Sequence, residues 1–270
     1  MAHILVAGLG DIGGALAARL LNEGHRVSGI RRRQQPVPGV DLYPQDLAEG
    51  ALQLPPDLVE LLYIVLTPTG RDEPAYRRAF LDAPLRLLDA LAARQPMPPI
   101  VFVSSTAVYG DSVTEADEET APQPDSFNGR VLLAAEQEIS ARSVTSAVRF
   151  SGIYGPGRER LLRQARAIAG GDSPPAARFS NRIHSTDCVG LLTTIGDGWL
   201  NGQIQPSVVI GTDSCPAINL EVLNYVGDQV GLSLNLDVPD IAPGKRLRSR
   251  YIGEGKYELV YPDYRVGYKR

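Results

Sequence analysis

Apolar positions along the chain follow two alternating patterns. Short, mostly uninterrupted apolar runs cover His3 to Ala7, Arg26 to Ile30, Leu62 to Leu66, Ile100 to Ser104 and Ser146 to Phe150, as expected of strands covered on both faces. Between them, apolar residues recur at helical spacing over Ile12 to Glu23, Pro74 to Arg94 and Arg130 to Ala141. Strand and helix in repetition predict an α/β fold, a doubly wound parallel sheet.

Elsewhere the pattern is weaker. Val40 to Leu58 reads as a short strand, a loop and a turn at Pro55-Pro56. After Tyr154-Gly155-Pro156-Gly157 the alternation fades into a mixed region, with one strand predicted at Ser207 to Ile210 and a helix near Leu220 to Val230. The expected organisation is a sheet domain over 1–154, rejoined by a segment near 183–212, and a small, partly interleaved lobe over 155–270. No internal repeat or low-complexity linker suggests a flexible array. In the Pro74 to Arg94 helix, Phe80, Leu81, Leu85, Leu88 and Leu91 form a stripe that reads as core, a homodimer interface being the other use of such a face.

Composition narrows the function classes. A chain of 270 residues can bury a sizeable core, and a formal charge of −4 leaves no basic surplus for a nucleic-acid backbone. Met1 is followed almost at once by a strand, with no leader-like segment, and no uncharged stretch reaches membrane-spanning length, so a cytoplasmic protein is expected. Cys188 and Cys215 form no metal-ligand or redox pair, and His3, His25 and His184 are scattered, so neither a metal nor a disulfide is assigned.

Gly8-Leu9-Gly10-Asp11-Ile12-Gly13 follows the first predicted strand and opens the first predicted helix, the context in which G-x-G-x-x-G signals a Rossmann-type dinucleotide site. The first glycine permits the turn, the second admits a pyrophosphate against bare backbone, and the third lets helix pack on strand. Unpaired N–H groups at the helix start favour the anion. Ile30 at the end of the second strand leads into Arg31, Arg32 and Arg33, where a carboxylate would suit the ribose hydroxyl of NAD. Guanidinium groups suit the 2′-phosphate of NADP, so NADP(H) is the expected cofactor, with NAD the alternative, and Arg31 and Arg32 its ligands. Leu66 and Ser104, at the ends of two further strands, complete the expected cofactor-binding set.

Three further segments are more specific. Ser104-Ser105-Thr106-Ala107-Val108-Tyr109-Gly110, then Arg149, then Tyr154-Gly155-Pro156-Gly157-Arg158, resemble the extended short-chain dehydrogenase/reductases, in particular the NAD-dependent epimerase/dehydratase family. Asp46-Leu47 resembles the family's acidic position facing adenine, and Ile183-His184-Ser185-Thr186-Asp187 its H-x-x-D segment. The resemblance implies that Ser105 polarises a substrate carbonyl, and that a tyrosine and a lysine four residues later handle the proton. Nearby positive charge is what lowers a phenol from its usual pKa of about 10.

The chain departs from the family there. Aligning Ala135-Glu136-Gln137 with the family's A-E-Q puts Asn128 at the tyrosine position and Leu132 at the lysine position, and no lysine precedes Lys245. The segment Asn128-Gly129-Arg130-Val131-Leu132-Leu133 is similar to the atypical, YeeZ-like subgroup, which lacks the usual pair. Tyr109 and Tyr154 are the substitute proton donors to consider, each with a packing role as the plainer alternative. Arg130 reads as an anion ligand or a partner of Glu136, the run Glu115 to Glu119 as a solvated loop, and Ser185 to Asp187 as a helix cap. The expectation is an NADP(H)-dependent oxidoreductase or epimerase acting on a small carbonyl or sugar-type substrate, the alternative a non-catalytic NADP(H) sensor.

Overall fold

The computed structural model describes residues 1–269. β1 (His3–Ala7), β2 (Arg26–Arg31), β3 (Asp41–Pro44), β4 (Leu61–Ile64) and β5 (Ile100–Ser105) join strands at Thr145–Phe150 and Val208–Gly211. They form one seven-stranded sheet in the order Val208–Gly211, Thr145–Phe150, β5, β4, β1, β2, β3. β1 pairs in parallel with both β2 and β4, β2 with β3, and β4 with β5. Every residue of β1 and β4 is buried, which explains why, His3 apart, their sequences are apolar. The order reverses at β1, and the crevice beyond the carboxyl ends of β1 and β4 is where ligands bind in such sheets.

α1 (Asp11–Asn22) buries Ile12, Leu16, Ala17 and Leu20, one stripe of an amphipathic helix. The single helix predicted over Pro74 to Arg94 is three pieces: α2 (Glu73–Arg77), a π-helical turn at Arg78–Asp82, and α3 (Ala83–Ala92). Pro84 has no N–H to give the carbonyl four residues back, so a regular ladder cannot run through this point. Phe80, Leu81, Leu88 and Leu91 are buried and Leu85 is half-buried, so most of the stripe faces the core. α4 (Phe127–Ser140) starts three residues before the predicted Arg130.

Contacts divide the chain into two compact units, 1–108 with 122–149 and 189–209, and 109–121 with 150–188 and 210–270. Residues 150–154 group with the second unit, and of the segment 183–212, residues 189–209 group with the first. The second unit holds three two-stranded pairings: Gly152–Tyr154 with Arg182–His184, Phe179–Ser180 with Ala217–Ile218, and Glu115–Ala116 with Arg246–Leu247. One of its cores joins Tyr154, Leu162, Ala217, Val222, Val226 and Tyr264. Its helix at Arg160–Ala169 was hidden in the sequence because only Leu162 and Ala165 of its ten residues are buried, the rest being largely arginine and alanine.

Two sequence expectations change within this unit. Ser185 to Asp187 do open a helix, Ser185–Leu200, but Asp187 in its first turn has a further role: its buried carboxylate accepts hydrogen bonds from the Tyr257 hydroxyl at 3.0 Å, the Val260 N–H at 2.8 Å and the Tyr261 N–H at 3.0 Å. The acidic run is not simply solvated. The Glu118 carboxylate accepts from the Ile210 N–H at 2.9 Å, the Ser249 hydroxyl at 3.1 Å and the Arg250 N–H at 2.8 Å. Among the described residues, no helix is long and apolar enough to cross a membrane.

Candidate functional site

A cleft of about 610 Å³ in the first unit opens beyond β1, β2 and β4, and the glycine turn forms one wall. Gly8 has φ of +105°, and a Cβ there would lie 2.1 Å from the Val65 carbonyl oxygen. A Cβ on Gly13 would lie 1.9 Å from the Gly8 carbonyl oxygen, so α1 can sit this close to the turn only with glycine at that position. Gly10 differs: a Cβ there would meet nothing within 4 Å, because its backbone faces open cleft. Bare backbone beside a helix start is the arrangement that admits phosphate oxygens. Asp11 occupies the first turn of α1, its carboxylate accepting from the Ile12 N–H at 2.9 Å, and Ile12 itself is buried.

Arg31, Arg32 and Arg33 all line the cleft where β2 ends. Among the described residues none of the three has a hydrogen-bonding or ion-pair partner for its side chain. Asp46, Leu47 and Leu66 line it too. Burial opposes ionisation of Asp46, but the Ala48 N–H and the Arg78 guanidinium, 3.1 Å away, outweigh it, and Arg32 adds to them. Its carboxyl is held below the usual range. Arg78, Gln45, Ala48, Thr67 and Thr69 also line the cleft and were not singled out from sequence. Thr67 and Thr69 had a usable signal, since they follow a predicted strand at its carboxyl end; Arg78 had none, being one arginine on an arginine-bearing helix.

The serines separate. Ser104 is buried and donates its hydroxyl to Glu136 at 2.5 Å, and Glu136 is clasped by Arg149. Glu136, one of the partners the sequence offered for Arg130, is thus taken by Arg149, and the Arg130 guanidinium donates to the Asp125 carbonyl at 2.8 Å. Ser105 is half-buried, and its hydroxyl oxygen accepts from the Ala107 N–H at 3.2 Å. Leu132, at the family's lysine position, is buried at 2 % exposure and brings no charge. Gly129 beside it lets α4 approach the turn after β5, where a Cβ would meet the Ala107 carbonyl oxygen at 2.2 Å.

Both tyrosines belong to the second unit and both are packed. Tyr109 is fully buried and donates to the Asp117 carbonyl at 3.0 Å. Tyr154 donates to the Asp263 carbonyl at 3.2 Å, stacks on Tyr268 at 4.8 Å and meets the edge of His184. Burial, with Asp213 next in effect, pushes the Tyr154 hydroxyl well above its ordinary pKa, the opposite of what a phenol working at neutral pH needs. His184 packs against Tyr261 with ring centres 3.7 Å apart, and burial holds its pKa down.

The chain is 29 % identical over 281 residues to the protein YeeZ of Escherichia coli K12, covering 97 % of each. Its fold matches a structure from Methylobacillus flagellatus described as a putative NAD-dependent epimerase/dehydratase, with a TM-score of 0.83 and 32 % identity over 99 % of this chain and 96 % of that one. It also matches the fold of human epimerase family protein SDR39U1, solved with NADPH, with a TM-score of 0.74 and 21 % identity over 99 % of this chain and 98 % of the other. The sequence profile of the NAD dependent epimerase/dehydratase family matches residues 4–175, and the chain is a member of that family.

Proposed function

We propose that the first unit binds NADP(H) in the cleft, and that the protein is an oxidoreductase or epimerase for a small carbonyl or sugar-type substrate, working without the family's tyrosine and lysine. The observation that carries the cofactor reading is the pairing of a glycine cradle, open at Gly10, with three unpaired arginines at the end of β2. Gly8, Gly10 and the N–H groups opening α1 would hold the pyrophosphate, Arg31 and Arg32 the 2′-phosphate, and Asp46 the adenine. The NADPH bound by the human relative of this fold supports the same reading. When bound, the nicotinamide supplies or accepts hydride. The protein's part is to position it and to offer the Ser105 hydroxyl to a carbonyl oxygen.

A second reading has its own support. Tyr109 and Tyr154 both spend their hydroxyls on backbone carbonyls, and Leu132 replaces the lysine, which suits a protein that senses NADP(H) without turning it over. Transfer of label from stereospecifically deuterated NADPH to a panel of carbonyl compounds and nucleotide sugars separates the two readings. Transfer that falls at least about tenfold in Ser105→Ala supports the enzyme. Tight NADPH binding with no transfer to any acceptor supports the sensor.

A further inference from the structure

We propose that Arg78 is a fourth arginine of the phosphate end of the cleft, held ready by Asp46 and Glu49 and exchanging Glu49 for the 2′-phosphate of NADP(H). The inference rests on the dinucleotide reading above and assigns the choice between NADP and NAD to a residue outside the second strand.

Arg78 lines the same cleft as Arg31, Arg32 and Arg33 but comes from a different element, as the first residue of the π-helical turn. Such turns replace the regular ladder and redirect the side chains around them. A single nitrogen of the guanidinium, Nη2, donates to both the Asp46 carboxylate at 3.1 Å and the Glu49 carboxylate at 2.5 Å. Among the described residues the rest of the fork has no hydrogen-bond partner. A guanidinium has five N–H donors in a fixed plane and accepts phosphate in bidentate fashion.

The two carboxylates are not equivalent. The Glu49 side chain is 70 % exposed and that of Asp46 only 30 %. An exposed carboxylate facing an arginine is screened by solvent and readily displaced. A phosphate, with more charge and three acceptor oxygens, displaces it. Asp46 stays ionised between Arg78 and Arg32, and its charge allows several guanidiniums to share one cleft before any phosphate arrives. NAD, with no 2′-phosphate, gains nothing from the exchange, so Arg78 discriminates between the two dinucleotides.

Binding of NADP⁺, NAD⁺ and adenosine 2′,5′-bisphosphate to the full chain, measured by calorimetry for wild type, Arg78→Ala and Glu49→Gln, tests the inference. Arg78→Ala is expected to weaken NADP⁺ and the bisphosphate by about tenfold or more and NAD⁺ by less than about twofold. Glu49→Gln removes the competing carboxylate and is expected to tighten NADP⁺ by about two- to threefold. Equal weakening of NADP⁺ and NAD⁺ in Arg78→Ala would mean that Arg78 only holds Asp46 in place, and overturns the inference while leaving the cleft as the dinucleotide site. So does a Glu49→Gln variant that binds NADP⁺ no better than wild type. A wild type that binds neither dinucleotide overturns the reading of the cleft itself, and this inference with it.

Discussion

The Arg149 guanidinium lies flat against the Glu136 carboxylate, with Nη2 to Oε2 at 2.6 Å and Nε to Oε1 at 3.0 Å, and both side chains are at most 7 % exposed. Ser104 adds a third donor to the same carboxylate, so the end of β5, the middle of α4 and the strand Thr145–Phe150 are tied at one buried point. Removing one partner leaves a buried charge unanswered. Arg149→Met is therefore expected to lower unfolding free energy by about 3–5 kcal/mol, and Ser104→Ala by about 1–2 kcal/mol, in urea denaturation. A change under about 1 kcal/mol in Arg149→Met would show that the pair is dispensable.

The glycines make opposite predictions. Gly13→Ala puts a methyl group 1.9 Å from the Gly8 carbonyl oxygen, so helix and turn must part, at a cost to stability of about 1–3 kcal/mol. Gly10→Ala projects into empty cleft and should leave stability within about 1 kcal/mol of wild type while weakening NADP(H) binding. Thermal unfolding of the two variants without cofactor separates them, and an equal loss in both would remove the distinction between packing glycine and ligand glycine.

Asp187 holds the segment near Tyr257 to Tyr261 with a single carboxylate that takes three donors. In Asp187→Asn one oxygen becomes a donor facing N–H and O–H groups, so amides of that segment should exchange with deuterium at least about tenfold faster, and those of β1 should not change. Uniform acceleration across the chain would point to global destabilisation in place of a local anchor.

Stability should also carry the mark of Asp213. Burial, opposed by the Cys215 N–H and by Arg182, pushes its carboxyl up to about 7 in the folded protein, against about 3.9 in an unfolded chain. The folded state thus holds a proton between these values that the unfolded state has lost, and this contribution to stability declines as pH rises from about 4 to about 7. Asp213→Asn imitates the protonated form. The stability of the variant relative to wild type should rise across that window and level off above it, as read from denaturation at a series of pH values; a pH-independent difference would contradict the shift.

What the sequence made legible was whatever depends on neighbours in the chain. β1, the Gly8-Gly10-Gly13 turn and α1 follow one another directly, and the arginines are consecutive at a strand end, so both could be read from order alone. Arg78, Glu49 and Asp46 are brought together across the first unit, by a π-helical turn that no periodicity announces. The same limit hid the role of Glu136, whose partner Arg149 lies on a different element from the nearby Arg130, and that of Glu118, whose three donors all come from after residue 209. Ser104 and Ser105 are adjacent in sequence and alternate across the pleat, which is why one is sealed into the core beside Glu136 and the other is only half-buried.

On the proposed reading, the glycine turn and the β2 arginines together select NADP(H). Titration calorimetry of wild type and Arg31→Asp with NADP⁺ and NAD⁺ at one fixed ionic strength tests it most directly. Wild type is expected to bind NADP⁺ at least about tenfold tighter than NAD⁺, a difference of about 1.4 kcal/mol, and Arg31→Asp to narrow or reverse the gap. Equal affinity of wild type for the two dinucleotides would contradict it.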